Sequence, residues 1–302
     1  MQWHKLGRIF QPRGQASWIV SHAAVPIPFH LGADRFRIYF SSRNQQNQAQ
    51  FGYIEIDLTD PTRQLAYAKK PALEIGDLGT FDDSGVIGDW IVPRNGQLLL
   101  YYTGWNRAVT VPFRNAIGLA ISSDGGETFV RSSAGPILDR SVHDPCFVSN
   151  SCVLAEDGRS RMWYISGLRW ETGDHGPKHY YHLKYAESDD GTNWQRQGTI
   201  SIDFKDESEY AISRPCVVRD DDLYRMWYSY RGQSYRIGYA ESDDGISWQR
   251  KDDLVGIDVS SSGWDSEMIE YPYVFDHNGR RYLLYNGNGY GQTGIGLAVL
   301  EK

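Results

Sequence analysis

The feature that most constrains this chain is a repeated unit, seen whole between Glu209 and Asp252. It holds an apolar run behind Arg214-Pro215, a turn at Asp220-Asp221-Asp222, and a second run from Tyr224 to Tyr230. A third run, Tyr235 to Glu241, leads through Ser242-Asp243-Asp244-Gly245 to Trp248. Short runs rich in Tyr, Trp, Val and Ile, bounded by Asp/Gly clusters, are the pattern of consecutive antiparallel strands. The Asp-Gly pair marks a hairpin because glycine accepts the positive φ that the turn requires.

The unit recurs. Its second run returns as Arg37 to Phe40, Leu100 to Thr103, Met162 to Tyr164, Met226 to Tyr228 and Leu284 to Asn286. Its third returns as Gly52-Tyr53-Ile54, Gly118-Leu119-Ala120, Lys184-Tyr185-Ala186, Gly238-Tyr239-Ala240 and Gly296-Leu297-Ala298. Repetition at a period of roughly 60 residues predicts an all-β, five-bladed β-propeller of four-stranded antiparallel blades. The last copy lacks the Asp-Gly turn and tryptophan strand, whereas Trp3-His4-Lys5 resembles Trp248-Gln249-Arg250. Residues 1 to about 10 are therefore expected to complete blade five and close the ring, with residues 1–302 forming a single domain.

Composition narrows the partners. The net charge of −7 and the lack of a basic run argue against nucleic acid. No apolar stretch reaches the roughly 18 to 20 residues of a membrane span, and no signal-like apolar region follows Met1, so a cytoplasmic location and no membrane partner are expected. Cys146 and Cys216 each follow the proline of a first strand and read as equivalent small buried hydrophobes. No cofactor is called for, and no spacing signature makes His22, His143 and Asp144 a metal site.

First strands of a propeller line its channel, so the residues that open them should share one face with the loops between second and third strands. The repeated Ser-Asp-Asp-Gly turns fall on the other face and read as scaffold. The openings differ among blades: His22; Asp82 and Asp83; His143 and Asp144; Arg214; Glu267 and Glu270. The loops add Arg43, Trp105, Arg169, Trp170, Arg231 and Asn288. Aromatic faces mixed with Asn, Arg and carboxylates suit a small molecule or oligosaccharide rich in hydroxyls. The sequence does not specify an oligomeric state.

Through these Pro, Tyr-Tyr and Asp-Gly-x-x-Trp elements the chain resembles, over its whole length, the five-bladed propeller superfamily of arabinanases, levansucrases and invertases. It is more distantly similar to the mannoside phosphorylases. The resemblance implies carboxylate chemistry on a glycosidic bond, with acids at the inner ends of first strands. Asp83 and Asp144 match that position. The chain departs from the pattern at His22 and at Ser213-Arg214-Pro215, where arabinanases carry an acid. The expected roles are Asp83 or Asp144 as base or nucleophile and Glu270 as proton donor. His22, Arg43, Asp82, Trp105, His143, Arg169, Trp170, Arg214, Arg231, Glu267 and Asn288 are then expected to bind substrate. A phosphorylase or transferase using Arg and His to hold phosphate, and a non-catalytic sugar-binding propeller, are the alternatives. A sialidase-like enzyme would need six blades.

Overall fold

The computed structural model describes residues 1–156, 158–173 and 176–301. Its strands are β1 (Trp3–Phe10), β2 (Ser21–Gly32), β3 (Arg35–Arg43), β4 (Ala49–Asp57), β5 (Asp60–Tyr67), β6 (Gly85–Arg94), β7 (Gln97–Arg107), β8 (Phe113–Ser122) and β9 (Val130–Arg131). There follow β10 (Phe147–Glu156), β11 (Arg159–Gly173), β12 (Gly176–Ser188), β13 (Ile200–Ile202), β14 (Ala211–Asp220), β15 (Leu223–Arg231), β16 (Tyr235–Ser242) and β17 (Gln249–Arg250). The last are β18 (Glu270–His277), β19 (Arg280–Asn286) and β20 (Ile295–Leu300), and a short 3-10 turn at Asp252–Leu254 is the one helical element among the described residues.

Consecutive strands pair as antiparallel meanders, in the orders β2-β3-β4 and β6-β7-β8-β9, then β10-β11-β12 and β14-β15-β16-β17. Single parallel bridges, Ala49 to Gly85 and Tyr181 to Ala211, join neighbouring meanders at one end only. The N-terminal strand β1 pairs antiparallel with β20, from Trp3 opposite Leu300 to Phe10 opposite Ile295, in the order β1-β20-β19-β18. The result is an all-β, propeller-like architecture.

Second strands are buried on both faces, which is why they read as unbroken apolar runs rather than alternating ones. Leu100, Tyr101 and Tyr102 of β7 are all buried, as are Met226, Trp227 and Tyr228 of β15. Their polar tips fasten one meander to the next. Tyr39 Oη donates to Gly126 O at 2.6 Å, Tyr101 Oη to Gly191 O at 2.8 Å, and Trp163 Nε1 to Gly245 O at 2.8 Å.

Those acceptors lie in the Asp-Gly turns, which are capped from within. Ser122, Ser188 and Ser242 accept the N–H of Gly126, Gly191 and Gly245 at 2.8 to 2.9 Å. In the second turn, backbone N–H groups of Asn193 and Thr192 hold the exposed Asp190 carboxyl well below the usual carboxylate range. The turns thus support the frame on the side away from the cavity described below.

First strands carry a bulge at equivalent places. Register shifts fall between Ala24 and Ile27, Gly88 and Trp90, Ser149 and Cys152, Ser213 and Cys216, and Glu270 and Tyr273. Bulges re-aim side chains. Here Val25, Asn150, Arg214 and Tyr271 adopt φ of +59°, +37°, +50° and +55°. A polar group of a neighbouring second strand holds each of four bulges: Ser41 Oγ accepts Gly88 N–H at 3.2 Å, Thr103 Oγ1 accepts Asn150 N–H at 2.9 Å, and Ser229 Oγ accepts Tyr271 N–H at 2.8 Å. The fourth bond, Val25 N–H to Asn286 Oδ1 at 2.9 Å, ties the last meander to the first.

This register corrects one expectation. Cys152, not Cys146, is the counterpart of Cys216: Cys152 faces Trp163 as Cys216 faces Trp227. Both thiols are buried, and each accepts a neighbouring backbone N–H, from Val217 and Val274 respectively.

Candidate functional site

At the bulged ends of the first strands lies a cavity of about 240 Å³, lined among others by His22, Val25, Arg43, Trp105, Phe113, Asn115, Asn150, Tyr271 and Tyr290. Strand β2 supplies His22, β3 ends in Arg43, Trp105 stands two residues before the end of β7, and the bulges supply Asn150 and Tyr271. The lining is mostly apolar, with a few polar groups among aromatic rings, the usual make-up of a small-molecule site.

Glu270, one residue before Tyr271, is fully buried, and neither carboxyl oxygen has a hydrogen-bond partner. Burial pushes it well above the usual carboxylate range, against the pull of Arg231. Its electrostatic neighbours include Tyr181, Tyr235 and Tyr271, and the first two share a hydrogen bond through their hydroxyls. The buried Nε of Arg231 and the buried Oδ1 of cavity-lining Asn115 also lack partners. Leaving a buried polar atom unpaired costs about 1–3 kcal/mol. Of these, Asn115 lines the cavity, whereas Glu270 and Arg231 stand next to residues that do, Tyr271 in sequence and Tyr290 in space.

Cations at the cavity are perturbed too. Burial lowers His22 to about 4, with Arg43 adding to the effect, so its imidazole is neutral at pH 7. Burial also lowers Arg43, whose guanidinium has Asn47 Oδ1 as a neighbour at 3.0 Å but, among the described residues, no carboxylate.

A second carboxyl, Asp89, sits fully buried in the β6 bulge. Its oxygens accept from Thr103 Oγ1 at 2.9 and 3.0 Å, Asn150 Nδ2 at 3.0 Å, Ser151 N–H at 3.1 Å and Ser151 Oγ at 3.3 Å. Burial raises it to about 6, opposed first by the Asn150 bond and then by Ser151 and Arg214. Asp89 thereby fixes Asn150, which lines the cavity.

The other expected residues are placed elsewhere. Asp82 and Asp144 are buried members of a repeated lock in which an acid ahead of a first strand meets a second-strand tyrosine and a fourth-strand cation. Asp82 takes Tyr102 Oη at 3.1 Å and Arg131 at 2.7 Å; Asp144 takes Tyr164 Oη at 3.1 Å and Arg196 at 2.8 Å. Asp265 does the same with Tyr285 at 3.1 Å and Lys5 of β1 at 2.7 Å, while Glu209 takes Arg250 at 2.7 Å. His143 stands beside this lock, its carbonyl accepting Lys184 Nζ.

Asp83 accepts Gly79 N–H at 3.0 Å and Ser84 Oγ at 2.8 Å, and faces a separate surface groove with Gln48 and Arg107. Arg214 is fully buried, donating to the carbonyls of Asp89 and Pro26 with Trp90 and Tyr273 rings at 5.8 and 5.6 Å. Glu267 is exposed, and its N–H bonds at 2.9 Å to Asn288, a brace for that loop. Arg169 is exposed and pairs with Glu171 at 2.7 Å, whereas Trp170 packs on cavity-lining Phe113 at 5.2 Å. The structure thus brings His22, Arg43 and Trp105 into the cavity lining and sets Trp170, Arg231 and Glu270 next to lining residues, Phe113, Tyr290 and Tyr271 respectively. Sequence reading missed Asp89, Asn150, Phe113 and Asn115.

Among the described residues, no group of three or more His, Cys, Asp and Glu side chains is placed to hold a metal ion. Among the same residues, no helix is long and apolar enough to cross a membrane.

The architecture is that of glycoside hydrolase structures. The chain is similar to a solved glycoside hydrolase with a TM-score of 0.74 and 19% identity, over 99% of this chain and 92% of that one. It also matches a thermostable family-43 glycoside hydrolase at a TM-score of 0.63 and 15% identity, over 94% and 91%. In sequence it is 48% identical, over the full 302 residues of both chains, to the uncharacterized proteins MT1551 and Rv1502 of Mycobacterium tuberculosis strains CDC 1551 / Oshkosh and ATCC 25618 / H37Rv. The chain belongs to the family of these two mycobacterial proteins. A shorter similarity, 29% identity over 142 residues, joins 45% of the chain to 46% of the 1,2-beta-oligomannan phosphorylase of Thermoanaerobacter sp. strain X514. No family model matches the chain.

Proposed function

We propose that the meanders are five blades of one propeller domain closed by β1, and that the protein cleaves or transfers a glycosidic bond in the cavity, with Glu270 as proton donor. The observation that carries this reading is the buried, unpartnered Glu270 carboxyl beside an aromatic cavity. An acid whose burial favours its protonated form is what departure of a sugar oxygen requires. Trp105, Phe113, Tyr271 and Tyr290 offer ring faces for sugar C–H surfaces, and Asn115 and Asn150 offer amides for hydroxyls.

Phosphate is the favoured nucleophile. Hydrolysis asks the protein for a second working carboxylate. Asp82, Asp83 and Asp144 are engaged away from the cavity, and the Asp89 oxygens are taken by Thr103, Asn150 and Ser151. Phosphorolysis needs one acid and a held anion. The proton of Glu270 passes to the leaving oxygen as the glycosidic C–O bond breaks, and a phosphate oxygen bonds to the anomeric carbon. Arg43, with no carboxylate partner among the described residues, and neutral His22 suit that anion. The partial similarity to a 1,2-beta-oligomannan phosphorylase points the same way.

The test is turnover of a panel of β-linked oligosaccharides and aryl glycosides with and without inorganic phosphate. Wild type should require phosphate, and Glu270→Gln should lose about a thousandfold or more in rate on the oligosaccharides, whose leaving oxygen needs a proton. Equal turnover by the variant would remove Glu270 from the chemistry. Sugars that stabilise both proteins with no turnover would leave a binding propeller.

A further inference from the structure

We infer that the wall running outward from Tyr290 through Arg231 and Tyr210 to Lys178 and Tyr180 is a second subsite, which binds an oxyanion, phosphate or carboxylate, carried by the remote end of the substrate. This deepens the reading above, since it rests on the cavity taking a sugar.

The wall is continuous with the cavity. Tyr290 lines it, and the Arg231 guanidinium lies 5.6 Å from the Tyr290 ring, 5.4 Å from Tyr235 and 5.3 Å from Tyr210. Lys178 Nζ comes next, 4.0 Å from the Tyr210 ring and 4.8 Å from Tyr180. Arg169 covers the same Tyr180 ring at 3.9 Å. Cations and aromatic faces therefore alternate from the floor of the site to the β11–β12 hairpin.

Among the described residues, the charge along this wall is only partly balanced by carboxylates. Elsewhere in this acidic chain, cations sit on acids: Arg131 on Asp82, Arg196 on Asp144, Arg250 on Glu209 and Lys5 on Asp265, all at 2.7 to 2.8 Å. On the wall, Glu171 faces Lys178 across the hairpin but is bonded to Arg169 at 2.7 Å. Glu270, the acid near Arg231, is held toward its neutral form by burial. Arg231 also keeps a buried, unpartnered Nε.

Ring faces attract a cation without occupying its N–H donors in directed bonds. The wall thus holds Lys178 and Arg231 in place while leaving donors for an acceptor. A neutral glycan would leave Arg231 without an ionised partner among the described residues and Lys178 sharing Glu171 with Arg169; an oxyanion on the sugar would meet one or both cations with charge-assisted bonds.

The experiment is calorimetric titration of the full chain with β-1,2-mannobiose, the same disaccharide bearing a 6-phosphate or a 6-carboxylate on one residue, and inorganic phosphate alone. At least one charged sugar should bind wild type about tenfold or more tightly than the neutral parent, and added salt should narrow the gap. Lys178→Met, an exposed change, should remove most of the gap and leave neutral binding unchanged. The preferred charged sugar identifies the oxyanion. Glu270→Gln should keep the gap while losing turnover, which separates this inference from the catalytic one. It is overturned if no charged sugar binds more tightly than its neutral parent, if Lys178→Met weakens both alike, or if inorganic phosphate alone reproduces the Lys178-dependent binding.

Discussion

Asp144→Ala separates scaffold from catalysis. Its carboxylate is fully buried, accepts from Tyr164, Ser141 and Arg196, and lies 3.8 Å from Lys184 Nζ. The side chains of Arg196 and Lys184 are only 16% and 7% exposed, so the variant strands two cations with little water to compensate them. Breaking a buried pair by removing one partner costs about 3–5 kcal/mol. At roughly 2 °C per kcal/mol for a chain of this size, the melting temperature should fall by about 6–10 °C. Asp144→Leu combined with Arg196→Met should recover part of that loss, because removing both members leaves no cation of that pair unpaired. The assay is thermal unfolding followed by circular dichroism, beside turnover per folded molecule at a temperature where each variant is intact. The scaffold assignment predicts lost stability with rates within about tenfold of wild type. A variant that melts within about 1 °C of wild type yet loses a thousandfold in rate would refute it and return Asp144 to the chemistry.

Other predictions rest on different contacts. Burial lifts Asp89 from 3.8 to about 6, so the folded protein holds this proton more tightly than the unfolded chain does. Its stabilising effect is full below pH 3.8 and lost as pH rises through 6, about 3 kcal/mol at ~1.4 kcal/mol per pH unit. Stability of Asp89→Asn relative to wild type should therefore climb by about that much between pH 4 and 7 in denaturant titrations; a flat difference contradicts it. A Cβ on Gly85 would stand 1.9 Å from Nε1 of Trp105. Gly85→Ala should push that indole off the cavity wall and weaken sugar binding about tenfold, and unchanged affinity by calorimetry would show that Trp105 does not hold the ligand.

The repeat and its turns were legible because second strands, buried on both faces, leave apolar Tyr- and Trp-bearing runs, each set before a third strand of the same type. Glu270 was legible for a related reason: Glu270-Tyr271-Pro272 aligns with Ser213-Arg214-Pro215, and both straddle a bulge. The site in the β10 meander was not. Asp144-Pro145 imitates Arg214-Pro215, but the bulge there is Asn150-Ser151. A bulge needs a residue that tolerates its backbone conformation, not a proline after it; Pro26, Pro215 and Pro272 follow theirs, whereas Asp89 is followed by Trp90. Spacing carried the correct signal, since Cys152 lies as far ahead of Trp163 as Cys216 does ahead of Trp227. The acid and tyrosine of the repeated lock keep a spacing of 20 residues, Asp82 to Tyr102, Asp144 to Tyr164 and Asp265 to Tyr285, but the cation does not, coming from as far away in sequence as Lys5 for Asp265.

The most direct test of Glu270 as the acid varies the leaving group. Glycosides whose departing oxygen needs a proton should be turned over by wild type and lost by about a thousandfold in Glu270→Gln. The corresponding aryl glycoside with a strongly electron-withdrawing ring leaves without that proton, and should retain rates within about tenfold of wild type. Equal loss on both substrates would contradict proton donation by Glu270 and reduce it to a residue that shapes the cavity.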